Sequence, residues 1–304
     1  MLKTNTKLLV ITLAVLSVLL IIYFMFFKEE RSFREHLVKF DVSKVDNFKI
    51  SSDERTVSFF KENNRWYVSD GAGNYIADQT VVNDLVNALS AIKIDKLVSN
   101  DESKWEEYEV TNALGSTVEV FKGKKLLAEI IIGRFSYRQV GQGISMSTMV
   151  RLQKEKEIYS VDGSINMQTK RTADNFRDKT ILSFDPETVQ KVEVLFPMGN
   201  SYVLSYANDE WMINHRVASI GKVINYLNEI KETKGNTFIK EVDTDNLEEY
   251  KLIVHTTKGL TVTVKVYKTA DERYAFVTTQ NDGILVDSEY LFKKMFPQAE
   301  RFVD

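Results

Sequence analysis

Residues 177–194 read RDKTILSFDPETVQKVEV, and residues 34–50 read REHLVKFDVSKVDNFKI. Each opens on an Arg followed by an acid, Arg177-Asp178 and Arg34-Glu35. Each then carries Phe-Asp, at Phe184-Asp185 and Phe40-Asp41, ahead of an apolar run (Val189/Val192/Val194 and Val45/Phe48/Ile50). Working outward, a Trp strand follows in both: Arg65-Trp66-Tyr67-Val68 and Glu210-Trp211-Met212-Ile213. Helical segments ending NALSAIK at 87–93 and NYLNEIK at 225–231 come next, then Glu106-Glu107-Tyr108 and Glu248-Glu249-Tyr250. Gly115 and Gly259 each lead into a strand, and Ile158-Tyr159-Ser160-Val161-Asp162 answers Ile284-Leu285-Val286-Asp287. Any one landmark is weak, but their shared order is the signature of an internal repeat.

Periodicity gives the unit its elements. Leu260, Val262, Val264 and Val266 alternate with polar residues, the period of a strand with one buried face. Residues 118–121 and 126–132 read similarly. Val82, Leu85, Leu89 and Ile92 fall at helical spacing behind Asp78, an N-cap type, and Ile220, Val223, Leu227 and Ile230 do the same behind Ser219. The expected fold class is α+β, each repeat a mostly antiparallel sheet with a helix packed on it. The expected boundaries are residues 33–175 and 176–304, with contact between the copies.

The chain has 304 residues, a net charge of −3, 43% hydrophobic and 11% aromatic residues, which excludes a disordered chain. It has no Cys, so disulfides, zinc-thiolate sites and iron–sulfur clusters are excluded. Basic residues are scattered among acids, so no nucleic-acid partner is expected.

Residues 8–27, LLVITLAVLSVLLIIYFMFF, opening on Leu8 and closing on Phe27, contain no charge, Pro or Gly. As a helix rising about 1.5 Å per residue they cover about 30 Å, a bilayer's hydrocarbon thickness. Thr12 and Ser17 can bond back to their own helix, and Tyr23 with Phe24, Phe26 and Phe27 suits a membrane interface. The run is longer than a signal-peptide core, and Lys28, Glu29, Glu30 and Arg31 follow where a cleavage site would stand. The reading is an uncleaved single-pass anchor, with a tail at 1–7 and a juxtamembrane segment at 28–32. Lys3 and Lys7 on one side balance Lys28, Arg31 and Arg34 on the other, so charge leaves the orientation open.

The chemical inventory is thin. His36, His215 and His255 share no ligand spacing, so no metal site is expected, and His36 is expected to be solvated. Glu106/Glu107, Asp243/Asp245 and Glu248/Glu249 read as hydrated turns, without the differing environments that an acid–base pair needs. Trp66 and Trp211 read as matched core packing rather than stacking platforms, and Trp105, opposite Leu247, as burial. Residues 133–143, GRFSYRQVGQG, are neither a phosphate-binding motif nor followed by a helix start. They read as a long hairpin connection between strands at 130–132 and 149–152. That loop carries Arg134, Phe135, Tyr137, Arg138 and Gln139, residue types that suit a partner-contact surface. The second copy has only a shorter loop at 269–273. No catalytic residue and no cofactor are expected.

Trp66, the turn Tyr108-Glu109-Val110, Ile132-Gly133, Ile158-Tyr159-Ser160-Val161, and Arg177-Asp178 with Phe184-Asp185 together resemble an uncharacterised bacterial family, a domain of unknown function encoded beside gliding-motility-type ABC transport systems. The resemblance covers nearly the whole chain. Glu109 departs from it, standing where the family has Gly, and the family's Pro is missing. The resemblance implies an inner-membrane anchor, a periplasmic bulk and transport-system membrane proteins as partners; it supplies no catalytic residues. The expectation is therefore a non-catalytic, membrane-anchored accessory or binding protein. A structural self-associating envelope protein and an envelope enzyme using the inter-repeat cleft are the alternatives.

Overall fold

The computed structural model describes residues 13–18, 34–52, 55–140, 143–242, 244 and 248–303. Residues 13–18 of the expected span are helical, with Leu13, Val15, Leu16 and Val18 exposed and Ser17 Oγ donating to the Leu13 carbonyl at 2.9 Å. The rest of residues 8–27, the tail 1–7, the segment 28–32, and Asp243, Asp245 and Leu247 lie outside the described residues. Among the described residues no helix is long and apolar enough to cross a membrane.

The fold is dominated by sheet. In the first half of the chain β1 (Asn47–Ser52), β2 (Arg55–Glu62), β3 (Arg65–Ser69) and β4 (Asn74–Ile76) precede α1 (Gln79–Ser90). Then come β5 (Ile94–Ser99), β6 (Ser116–Lys122), β7 (Lys125–Val140), β8 (Gly143–Leu152), β9 (Ile158–Asp162) and the short α2 (Ile165–Thr169). After β10 (Thr180–Ser183) the order repeats: β11 (Val189–Leu195), β12 (Tyr202–Ala207), β13 (Glu210–Ile213), β14 (Arg216–Val217) and α3 (Ile220–Ile230). Next are β15 (Glu232–Lys234), β16 (Thr237–Ile239), β17 (Glu249–Thr256), β18 (Thr261–Lys268), β19 (Tyr274–Thr278), β20 (Asn281–Asp287) and α4 (Glu289–Met295).

Two nine-stranded sheets result, ordered β4-β3-β2-β1-β6-β7-β8-β9-β5 and β14-β13-β12-β11-β17-β18-β19-β20-β16. β10 and β15 form a separate antiparallel pair. The second sheet is antiparallel through its centre, with Val192 opposite Val254 and Val254 opposite Val262. The period-2 reading holds from Thr261 on, where Val262, Val264 and Val266 are fully buried while Thr261, Thr263 and Lys265 are not; Leu260, read into the same alternation, precedes the strand and is 43% exposed. α1 and α3 are the only helices longer than two turns among the described residues, so the helical share is smaller than an α+β layer implies.

The chain forms two compact units, one from Met1–Arg55 with Leu85–Lys170, the other from Thr56–Asp84 with Arg171–Asp304. The second has a large core. Tyr226 and Leu227 of α3 join Val192, Leu252, Val264, Phe276 and Phe302 in it. Two buried tyrosines there satisfy their hydroxyls on carbonyls, Tyr202 on Pro297 and Tyr226 on Met295, both at 2.7 Å. In the same unit Arg177 stacks between Tyr75 (3.8 Å) and Phe238 (3.6 Å) while holding Asp174 at 2.9 Å. Ala77 bridges to Arg177, and the Asp178 amide donates to the Ile76 carbonyl at 2.8 Å.

The first unit contains a smaller cluster, in which Val110, Ile131, Met149 and Ile158 pack with Val98, Trp105 and Tyr108. Arg151, only 3% exposed, caps it with no carboxylate in salt-bridge contact among the described residues. Its Nε donates to the Val110 carbonyl at 3.0 Å and its NH1 to the carbonyls of Leu152, Gln153 and Glu155. Its guanidinium lies 3.8 Å from the centre of the Trp105 ring. Burial lowers the Arg151 pKa, and the carbonyls and indole face supply what water would have supplied.

Candidate functional site

The expected contact residues lie on a strand, not on a loop. β7 runs unbroken from Lys125 through Val140, and β8 resumes at Gly143. Arg134, Phe135, Tyr137, Arg138 and Gln139 therefore sit on one arm of a hairpin. The alternation of aromatic and polar side chains continues past Gly133, and period 2 is what an antiparallel ladder selects.

Gly133 explains where the arm begins. Ile132 pairs with Val150 but Phe135 pairs with Thr148, so β7 carries one extra residue here, a bulge. A Cβ on Gly133 would stand 2.4 Å from the Tyr108 carbonyl oxygen and 2.8 Å from that of Glu109. Only Gly admits such an approach. The Arg134 amide donates to that same Tyr108 carbonyl at 3.0 Å, and Asn166 Nδ2 donates to the Gly133 carbonyl. The 108–110 turn thus holds the root of the arm. Glu109 in that turn has φ +57°, a backbone conformation that Gly adopts more readily than Glu.

Beyond the bulge the arm has two chemically distinct faces. Tyr137 pairs with Met146, Gln139 with Ile144 and Phe135 with Thr148. Directly opposed residues share a face, so Phe135, Tyr137, Met146 and Ile144 lie together. Tyr137 is 74%, Ile144 69% and Met146 45% exposed, and the Phe135 and Tyr137 rings lie 6.5 Å apart. Ser136, Arg138, Ser145 and Ser147 make the other face. β9 accompanies β8 only as far as the Ser147–Asp162 pair. In the second sheet the matching hairpin, β18–β19, closes in a short turn where Arg273 and Asp271 pair at 2.6 Å.

Sequence reasoning singled out Tyr137 and Arg138 but missed Ile144 and Met146, which the same alternation on β8 could have supplied. Other groups fall elsewhere. His36 bridges to Lys93 and keeps 38% of its side chain exposed, next to the core residue Leu37. His255 contacts Glu193 at 3.0 Å and Thr261 at 3.2 Å across the surface of the second sheet. Glu106 and Glu107 lie exposed on a turn, where Lys104 holds the Glu107 carboxyl below its ordinary range. Glu249 stands on β17 instead of a turn. Hydrogen bonds from Tyr267 at 2.6 Å and Lys265 at 2.9 Å, with Lys251 near, bring its pKa down to about 2. Trp66 and Trp211 are both buried, at 1% and 6% exposed. No group of three His or acidic side chains able to hold a metal ion occurs among the described residues.

No curated protein and no solved structure matches this chain. A family pattern does, over residues 66–254, a stretch that includes Trp66, the 108–110 turn, Gly133 and the whole hairpin arm. By that match the chain belongs to the family described as Domain of unknown function (DUF4340).

Proposed function

We propose that the chain is a membrane-anchored, non-catalytic extracytoplasmic binding protein of a bacterial inner membrane, working with an ABC-type transport system. Residues 8–27 are its anchor, and residues 33–175 and 176–304 are two related α+β copies of one unit. The identical strand order of the two sheets supports the duplication. The observation that carries the functional reading is the exposed apolar face of the arm. Tyr137, Ile144 and Met146 are exposed on a paired ladder, and among the described residues the second sheet has no such extension. Exposed aromatic and aliphatic side chains gathered on one face are the composition of a contact surface.

The test places a photo-cross-linking residue at Tyr137 in native membranes. The reading expects an adduct with a membrane-embedded subunit of an ABC-type transporter, identified by mass spectrometry. Adducts only between copies of this chain would establish the self-associating alternative instead.

A further inference from the structure

The two buried tryptophans occupy matching places, yet their surroundings differ in kind. On β3 Trp66 pairs with Lys61, and on β13 Trp211 pairs with Tyr206. The amides of Ala77 and Ala218 donate to the Trp66 and Trp211 carbonyls, at 3.1 and 2.8 Å. One residue later Asp78 and Ser219 begin the helices, their carbonyls accepting from the amides of Val82 and Val223. Counted from those two residues, Gln79 corresponds to Ile220 and Asn83 to Ile224.

At Trp66 the chain's own carboxamides close the site. Asn83 Oδ1 accepts from the indole Nε1–H at 2.9 Å, and Gln79 bonds both the Trp66 amide (2.7 Å) and its carbonyl (3.1 Å). Lys61 Nζ covers the ring at 4.6 Å. At Trp211 all three polar groups are replaced by Ile220, Ile224 and Tyr206. These line a cavity of about 530 Å³ together with Trp211, Leu227 and the polar Asp185, Glu187, Asn228 and Lys231. Ile220 is 54% and Ile224 44% exposed. Trp211 is 94% buried as a residue, but its indole N–H, which makes no hydrogen bond among the described residues, is not one of the buried unpaired groups there and opens onto the cavity.

An unpaired donor open to the cavity, beside the exposed side chains of Ile220, Ile224 and Tyr206, suits a branched or aromatic side chain next to an amide carbonyl. We propose that this groove binds a peptide segment of a partner protein. An apolar side chain seats among Ile220, Ile224 and Tyr206, and the adjoining amide carbonyl accepts from Trp211 Nε1–H. The Trp66 site shows the chemistry, since a carboxamide of the chain itself does this there. The inference does not rest on the hairpin arm.

The test titrates the full chain, ¹⁵N-labelled on tryptophan and free of detergent, with the capped peptide acetyl-Ala-Leu-Ala-amide. The Trp211 indole resonance, assigned from W211F, moves downfield and saturates. Those of Trp66 and Trp105, which donate to Asn83 and to the Lys156 carbonyl, stay in place. I224N rebuilds the Trp66 arrangement and weakens the peptide by about tenfold or more; I224V, which keeps the wall, leaves binding within about threefold. A Trp211 resonance that does not move, an undiminished response in I224N, or toluene shifting the Trp211 N–H downfield as far as the peptide would each overturn the proposal.

Discussion

Replacing Gly133 by Ala tests how the fold aims the arm. The added methyl would lie 2.4 Å from the Tyr108 oxygen, 2.7 Å from Val110 Cγ1 and 2.8 Å from the Glu109 oxygen. Two of the three neighbours are backbone, so neither can rotate away. Overpacking of this kind costs about 1–3 kcal/mol. Retreat of the turn also breaks the 3.0 Å bond from the Arg134 amide to Tyr108, worth about 1 kcal/mol. Together G133A loses about 2–4 kcal/mol. Urea unfolding followed by the fluorescence of Trp105 reads this directly, because Trp105 packs in the same cluster as Val110 and Tyr108. A loss below about 0.5 kcal/mol, the scatter of a neutral surface change, would refute the claim that the 108–110 turn fixes the root of the arm.

The opposite sign is expected one turn away. Glu109 holds φ +57° and makes no side-chain bond among the described residues, so E109G gains about 0.5–1 kcal/mol in the same urea assay, and a net loss would remove the argument. R151A, which strands the Val110 carbonyl and uncovers Trp105, loses about 3 kcal/mol, and R151M less, by differential scanning calorimetry; equal losses would show that the cation itself is the stabilising element. The Glu249 pKa lies near 2, below its ordinary 4.5, so its contribution is present above pH 4.5 and fades as pH falls towards 2. E249Q therefore flattens the acid limb of the stability curve in that window, and an unchanged limb would assign it to other carboxylates.

Much of the fold was legible because its cause is local. Val262, Val264 and Val266 alternate with polar residues since one face of β18 is core, and alternation is written in the chain. Strand after strand could be matched between the halves for the same reason. The helices were matched less well. Sequence similarity sets Lys93 against Lys231, but the bridges His36–Lys93 and Thr180–Lys234 pair Lys93 with Lys234. A shift of three residues preserves most of a helix's apolar face, so periodicity alone does not detect it.

The candidate site was half legible. Arg134, Phe135, Tyr137, Arg138 and Gln139 stood out by composition, but the glycines at 133, 141 and 143 suggested a loop. What keeps Gly133 in a strand is a bulge against Tyr108, a contact 25 residues distant in sequence that no local pattern encodes. Arg151 was invisible for a related reason: its partners are carbonyls and an indole face, and carbonyls leave no mark on a sequence. The different fates of Trp66 and Trp211 turn on side chains one and five positions past each helix cap, which similarity of the tryptophans themselves conceals.

The most direct measurement of the central claim compares the native chain with the double variant Y137S/I144S in affinity purification from solubilised membranes. Both residues are well exposed, so the variant should unfold within about 0.5 kcal/mol of the native chain per site. With stability matched, the account predicts that recovery of transport-system membrane proteins falls about tenfold or more. Full recovery by a stably folded variant would contradict it.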